Sequence, residues 1–248
     1  MGLQIAFVIG LAAIHLFAGK LQRLNALPRS AWLSFAGGVS VGYVFIHIFP
    51  ALSDAHQTIE EHGPLVYLEH NAYIAALFGL GVFYGLEQVA KQHTRRDRPP
   101  ASASASASAS ASPQRLKGVF WIHIASFSLY NALIGYLLVY RDNQLPEVLF
   151  FFLAMGFHFL VNDHGLAQHH RHSYLAQGRW VLAAAVVIGW LVGNAFEVTE
   201  AVVGLLYAFV AGGLVLNVLK EELPEDRHSR FWPFAMGAAT CAALLSFS

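Results

Sequence analysis

Two stretches decide the fold: FAGGVSVGYVFIHIFPALSD at residues 35–54 and FVAGGLVLNVLKEELPED at residues 209–226. Each is predominantly apolar, each carries Ala-Gly-Gly near its start, and each reaches a proline 11 or 12 residues after the second glycine. Paired small residues let helix backbones approach closely inside a membrane, and a proline there ends or kinks the helix. Glycine pairs and prolines are common in membrane helices, so the likeness alone is weak. The rest of the chain supplies the direction in which each stretch crosses the bilayer, and direction gives the likeness its meaning.

Of the 248 residues, 56% are apolar and 12% are Asp, Glu, Lys or Arg, which is about half the charged fraction of an ordinary soluble domain. A water-soluble fold could not hide that much apolar surface. Lys plus Arg and Asp plus Glu are equal at 15 each, so no net charge points to nucleic acid as a partner. The single cysteine, Cys241, excludes an intrachain disulfide framework and reads as a small packing residue. The first residues, MGLQIAFVIGLAAIHLFAGK, have no basic run before the apolar one and no small-residue cleavage site, so they are expected to be a span rather than a removable leader.

A helix needs about 20 mostly apolar residues to cross the hydrocarbon core. Eight stretches qualify, at roughly 3–19, 31–53, 72–90, 118–140, 148–168, 178–196, 199–219 and 231–247. Lys and Arg concentrate on the cytoplasmic side, and the loops alternate without a break. The first holds Lys20, Arg23 and Arg29; the second holds Asp54, Glu60, Glu61 and Glu69 and no base. The third, fifth and seventh are basic, through Lys91 to Lys117, Arg171 with Arg179, and Lys220 to Arg230. The fourth has one Arg, and the sixth only Glu197 and Glu200. Both termini are then expected on the non-cytoplasmic side. The second span runs outward and the seventh inward, so the two quoted stretches are related by inversion, as in transporters built from inverted repeats.

The expected architecture is all-α and polytopic, with about eight transmembrane helices in a 3+2+3 arrangement with inverted repeats. Residues 1–91 form the first three-helix repeat and 92–117 a flexible cytoplasmic loop containing PPASASASASASASPQ. Residues 118–172 form a central two-helix unit and 173–248 the second repeat.

Ionisable groups deep in hydrocarbon are costly and mark functional positions. The fourth and fifth spans supply His123, Ser126, Tyr130, Asn131, His158, Asn162, Asp163 and His164. His158 and Asn162 are four apart and share a helix face, as do Ser126 and Tyr130. Imidazole with carboxylate and amide oxygens suits zinc, with iron or manganese less preferred. His158, Asn162, Asp163, His123 and Asn131 are therefore the candidate metal ligands. Ser126, Tyr130, His47, Asn217 and Glu221 are candidates for supporting or pathway positions, with Asn217 and Glu221 one turn apart in a vestibule. His15 lies within the first span as part of a second polar group flanking the central one, Glu87 sits near a helix end where it can snorkel, and Asp163, a candidate ligand, is also near enough to a helix end to be hydrated. His169, His170 and His172 on the cytoplasmic flank are candidates for loose metal capture, or simply a solvated basic edge.

On these features the chain resembles the ZIP family of zinc and iron transporters. AGGVSVGYVFIHIFPAL looks like that family's second span and AGGLVLNVLKEELPED like its seventh. The resemblance implies eight spans with both ends outside, two inverted three-helix repeats around two central helices, and a long cytoplasmic loop after the third span. The central motifs depart from the family pattern. Where it has a His and, four residues later, an Asp in the fourth span, this chain has Ser126 and Tyr130. In the fifth span HFLVND keeps His158, puts Phe159 at a ligand position and Val161 at a proline position, and offers Asn162 and Asp163 for the acid.

The leading expectation is a transporter that moves a divalent cation, zinc foremost, with no permanently bound cofactor. No GxxxxGK[ST] motif couples it to ATP. A non-transporting scaffold or metal sensor is the main alternative. An intramembrane metal hydrolase built on His123, His158, Asp163 and Ser126 is the least favoured, so the chain is not expected to be an enzyme. The expected partners are the metal ion, the lipid bilayer and, as an open alternative, a second copy of the chain in a homodimer. Short loops and the uncleaved first span suggest a bacterial inner membrane.

Overall fold

The computed structural model describes residues 2–21, 29–62, 70–95, 113–140, 145–222 and 231–246. These form α1 (Gly2–Leu21), α2 (Arg29–Tyr43), α3 (Phe49–His62), α4 (Asn71–Arg95), α5 (Pro113–Leu138), α6 (Leu145–Ser173), α7 (Arg179–Ala195), α8 (Glu200–Asn217) and α9 (Phe231–Ser246), with no strand among the described residues. By length and composition six stretches can cross a membrane: Ser34–Glu61, Asn71–Val89, Phe120–Leu138, Leu149–Ala167, Arg171–Ala195 and Glu200–Lys220. Gly2–Ala18 and Phe231–Ser246 are shorter apolar helices. The chain is an all-α integral membrane protein.

Helix boundaries are broader than composition suggests. α4 continues to Arg95 and α5 begins at Pro113, so the expected loop over 92–117 is helical at both edges. Its Ala/Ser tract lies outside the described residues. The expected loop near 169–177 is also helical, passing through a π-helical turn at Tyr174–Gly178. The chain nonetheless reverses there. Phe152 of α6 meets Gly10 and Asp163 reaches His15, while Arg179, at the start of α7, reaches the carbonyl of Leu16. Gly193, at the far end of α7, borders the same cavity as Phe151. α6 and α7 are thus separate, oppositely directed spans.

Glycines organise the packing. A methyl group on Gly38 of α2 would stand 2.0 Å from the Phe234 carbonyl oxygen of α9, and one on Gly237 of α9 would stand 2.1 Å from that of Phe35. The same reciprocal fit joins α4 to α8, through Gly79 against Phe209 and Gly212 against Ala76. It also joins α5 to α7, through Gly135 against Val186 and Gly189 against Ala132. α1 and α6 use Gly10 against the Phe152 ring and Gly156 against Ile14. Each crossing is followed by a contact further along both helices, Gly38–Phe234 by Gly42–Cys241, Gly79–Phe209 by Phe83–Gly213, Gly189–Ala132 by Gly193–Tyr136 and Gly10–Phe152 by Ile14–Gly156, so the partners are parallel. Without a hydrophobic drive between helices in lipid, close backbone approach of this kind supplies the dispersion and Cα–H···O contacts that hold them.

These pairings have the symmetry that the two opening stretches imply. Exchanging the first span with the sixth, second with seventh, third with eighth and fourth with fifth turns the α2·α9 pair into α8·α4, and α5·α7 into α6·α1. The Ala-Gly-Gly stretches also share a local irregularity. A π-helical turn follows each, at Val44–Ile48 and Val218–Glu222, beginning six residues after Gly38 and five after Gly213. Such turns insert a residue into the helix and re-aim the side chains beyond them.

Candidate functional site

Most of the buried polar groups among the described residues lie on α1, α5 and α6. His15, His158 and Asp163 are fully buried, and Asn131, Asn162 and His164 nearly so. They sort into two arrangements. In one, His15 Nδ1 donates to Asp163, 2.9 Å from Oδ2 and 3.1 Å from Oδ1. His15 Nε2 accepts from Asn131 Nδ2 at 3.0 Å. That acceptor role leaves the imidazole proton on Nδ1, facing the carboxylate. Tyr174, brought in by the π-helical turn, donates to the main-chain carbonyl of His15 at 3.4 Å. In the other, Asn162 Nδ2 donates to His158 Nε2 at 2.9 Å across one helical turn, as their spacing predicts. The Asn162 Oδ1 oxygen is buried with no hydrogen-bond partner.

Two aromatic rings, Phe159 and Tyr130, border the buried imidazoles. Phe159 is fully buried and stacks on His15 with ring centroids 4.5 Å apart, and it also lies 6.3 Å from His158. Tyr130, equally buried, lies 5.6 Å from His158 and meets Phe83 edge-on at 5.5 Å. These ring contacts hold the His15 and His158 imidazoles by dispersion and quadrupole forces.

Tyr130 also floors a cavity of about 800 Å³. Its walls include His47, Ala51 and Thr58 from α3 and the π-helical turn before it, Phe151 and Met155 from α6, and Tyr207 from α8, with Glu197 and Glu200 at its mouth. Of the supporting or pathway residues expected from sequence, Tyr130 and His47 line this space, and His47 stacks on Tyr43 at 4.9 Å. Asn217 is buried at the end of α8 and does not line it; the side chain of Glu221 lies outside the described set.

Other expectations are corrected. Asp163 is fully enclosed and hydrogen-bonded to His15 rather than hydrated. His123 is half-buried and lies eight residues before Asn131 on α5, about 12 Å away along the axis, so the two do not share a site. Ser126 is half-buried. Glu87 does not snorkel alone but pairs with Lys220 of the second π-helical turn. His172 is exposed, and the side chains of His169 and His170 lie outside the described set. Among the described residues no three His, Cys, Asp or Glu side chains stand around a common point as a metal centre.

Sequence reading missed His15 as the hub of the polar core and Tyr174 as its support. A histidine four residues after the midpoint of a short first span carries no pairing information. Its partners, Asn131 on α5 and Asp163 on α6, are 116 and 148 residues away, and only tertiary packing brings them together. No family model matches this chain, and no curated protein matches it.

Proposed function

We propose that this chain is a membrane permease for a divalent metal cation, zinc foremost, built on a ZIP-like scaffold. The observation that carries the reading is the cavity lined by residues of α3, α5, α6, α7 and α8, among them the fully buried Tyr130, whose ring lies 5.6 Å from the buried imidazole of His158. Concave sites at the interface of inverted repeats, near the membrane midplane, are where such proteins hold their cargo. Rotation of the Asn162 amide would replace an N–H···N contact by two adjacent lone pairs, His158 Nε2 and the presently unpartnered Asn162 Oδ1. Those are one strong and one weak donor for zinc, and the rest of the shell would be water or the cargo's own ligands. Weak holding suits passage, because an ion must also leave.

With the charge-derived orientation, the cavity mouth at Glu197 and Glu200 faces the non-cytoplasmic side and the Glu87–Lys220 pair faces the cytoplasm. The present conformation is then open outward and closed inward. The alternative, a scaffold that no longer transports, is favoured by the saturation of His15 and Asp163, whose ring nitrogens and carboxylate oxygens are already engaged.

Uptake of radioactive zinc, manganese and iron into vesicles carrying the protein tests the reading. Wild type should exceed empty vesicles for at least zinc, with His158→Ala reducing the rate. A wild-type rate equal to that of empty vesicles rejects transport of these ions.

A further inference from the structure

A second group of metal-ligating side chains stands apart from the membrane core, where α3 ends and α4 begins. His56 Nδ1 lies 3.0 Å from Asn71 Oδ1. That oxygen also accepts the Ala72 main-chain N–H at 2.6 Å, which fixes the amide orientation: the group facing His56 is an acceptor. His56 must therefore carry its proton on Nδ1, and Nε2 is the nitrogen left for another role. It lies 3.4 Å from Oε1 of Glu60, one turn along α3. A nitrogen lone pair and a carboxylate repel unless a proton or a cation stands between them.

Two ligand atoms on a tetrahedral zinc, each about 2.0–2.1 Å from the ion, are roughly 3.4 Å apart. His56 Nε2 and Glu60 Oε1 already have that separation. His70 supplies a third group. Its backbone sits in the left-handed region at φ 64°, its carbonyl accepts the first α4 bond from Ile74, and its exposed ring stands 6.0 Å from that of His56. The three groups do not surround a common point as they stand; two imidazoles on one zinc have centroids roughly 5 Å apart, so a swing of the exposed His70 ring toward His56 is what would assemble them. Tyr73 packs edge-on to both rings, 5.3 Å from His56 and 6.3 Å from His70, and limits where they turn. Asn71, itself buried, is the kind of outer partner that holds a metal-bound imidazole in its tautomer.

We infer that His56, Glu60 and His70 form a second binding site for a zinc-class divalent cation, open to solvent for a fourth ligand and separate from the buried core. α3 turns Ala51, Ala55 and Thr58 toward the cavity and His56 with Glu60 onto the neighbouring face, so the site lies beside the cavity wall. A role in feeding cargo to the cavity rests on the permease reading; binding does not.

The test is titration of the purified full chain in detergent with Co²⁺, followed by visible absorption, then displacement with Zn²⁺. Wild type is compared with Glu60→Gln and His70→Ala, both at exposed positions, with His56→Ala, and with Asp163→Asn in the core. Each of the first three should lose one equivalent of ion or bind it at least ten-fold more weakly, and Asp163→Asn should keep that equivalent. Unchanged stoichiometry and affinity in His70→Ala and Glu60→Gln overturn the site, as does loss in His56→Ala alone. Because binding is read without transport, a protein that moves no metal yet loses one Co²⁺ with His70→Ala retires the permease and keeps this site.

Discussion

His15 and Asp163 meet at 2.9 Å across 148 residues of sequence, with neither side chain in contact with solvent. Removing one member of such a pair strands the other without compensation, at about 3–5 kcal/mol. His15→Ala should therefore lower the melting temperature of the detergent-solubilised protein by on the order of 10 °C. Asp163→Asn keeps an acceptor for Nδ1–H and should cost less, about 1–2 kcal/mol. Equal melting of His15→Ala and wild type, read by tryptophan fluorescence, would remove the pair from any account of the core.

The glycine contacts make a sharper forecast. Gly38→Ala and Gly212→Ala each place a methyl group within 2.0 Å or less of a main-chain carbonyl oxygen, whereas at Gly81 nothing lies within 4 Å. The first two changes should destabilise by about 1–3 kcal/mol or more, since backbone cannot rotate away as a side chain can. Gly81→Ala should be neutral or stabilising, by up to about 1 kcal/mol, through helix propensity. Detergent-resistance half-lives of the three variants check the ranking, and similar values for all three would refute the close packing.

Asn162→Asp restores a carboxylate beside His158 Nε2, a stronger donor than an amide for zinc. The variant should bind zinc at least ten-fold more tightly than wild type by calorimetry, equivalent to about 1.4 kcal/mol. It should also move the ion more slowly, because release becomes harder. No gain in affinity would show that His158 and residue 162 do not address a common ion.

The pair formed by Lys220 and Glu87 ties the π-helical turn after α8 to α4 while both side chains stay largely buried. Glu87→Gln should loosen that end. A cysteine introduced at Asn217, in a Cys241→Ala background, should then react faster with a membrane-impermeant maleimide, by roughly ten-fold for a lost interaction of about 1.4 kcal/mol. The swap Glu87→Lys with Lys220→Glu should bring the rate back down. Identical labelling in all backgrounds would mean that the pair does not hold this end closed.

Much of the fold could be read from hydropathy and loop charge, because each span declares itself locally and Lys and Arg mark alternate loops. Even the inverted relation of residues 35–54 to 209–226 was legible, since Ala-Gly-Gly is a packing device that both copies need. Legibility stopped where side chains look outward from their own helix. His158 with Asn162 was predictable because four residues make one turn. Sequence makes Asp163 a candidate ligand with hydration near a helix end as the alternative, and it is enclosed, because α1 lies alongside α6. The π-helical turns leave no mark in composition, although they carry His47, Tyr174 and Lys220 to their partners. The His56 and His70 group was invisible for a similar reason: it depends on the left-handed backbone at His70, which follows a stretch outside the described residues.

The parallel pairing of helices bears on how the protein is made. Parallel neighbours cannot be joined by a short hairpin, so every glycine-matched pair unites spans distant along the chain. In order of synthesis the first span waits for the fifth, the fourth for the sixth, the third for the seventh and the second for the eighth. The last three closures nest like brackets around the fifth span. The grooves at Gly38 and Gly79 therefore stay unfilled until the final helices leave the ribosome, and assembly proceeds from the centre of the sequence outward. A nascent chain halted before α9 would present the bare groove of α2 to lipid, so the last 16-residue helix completes a structure begun with the second.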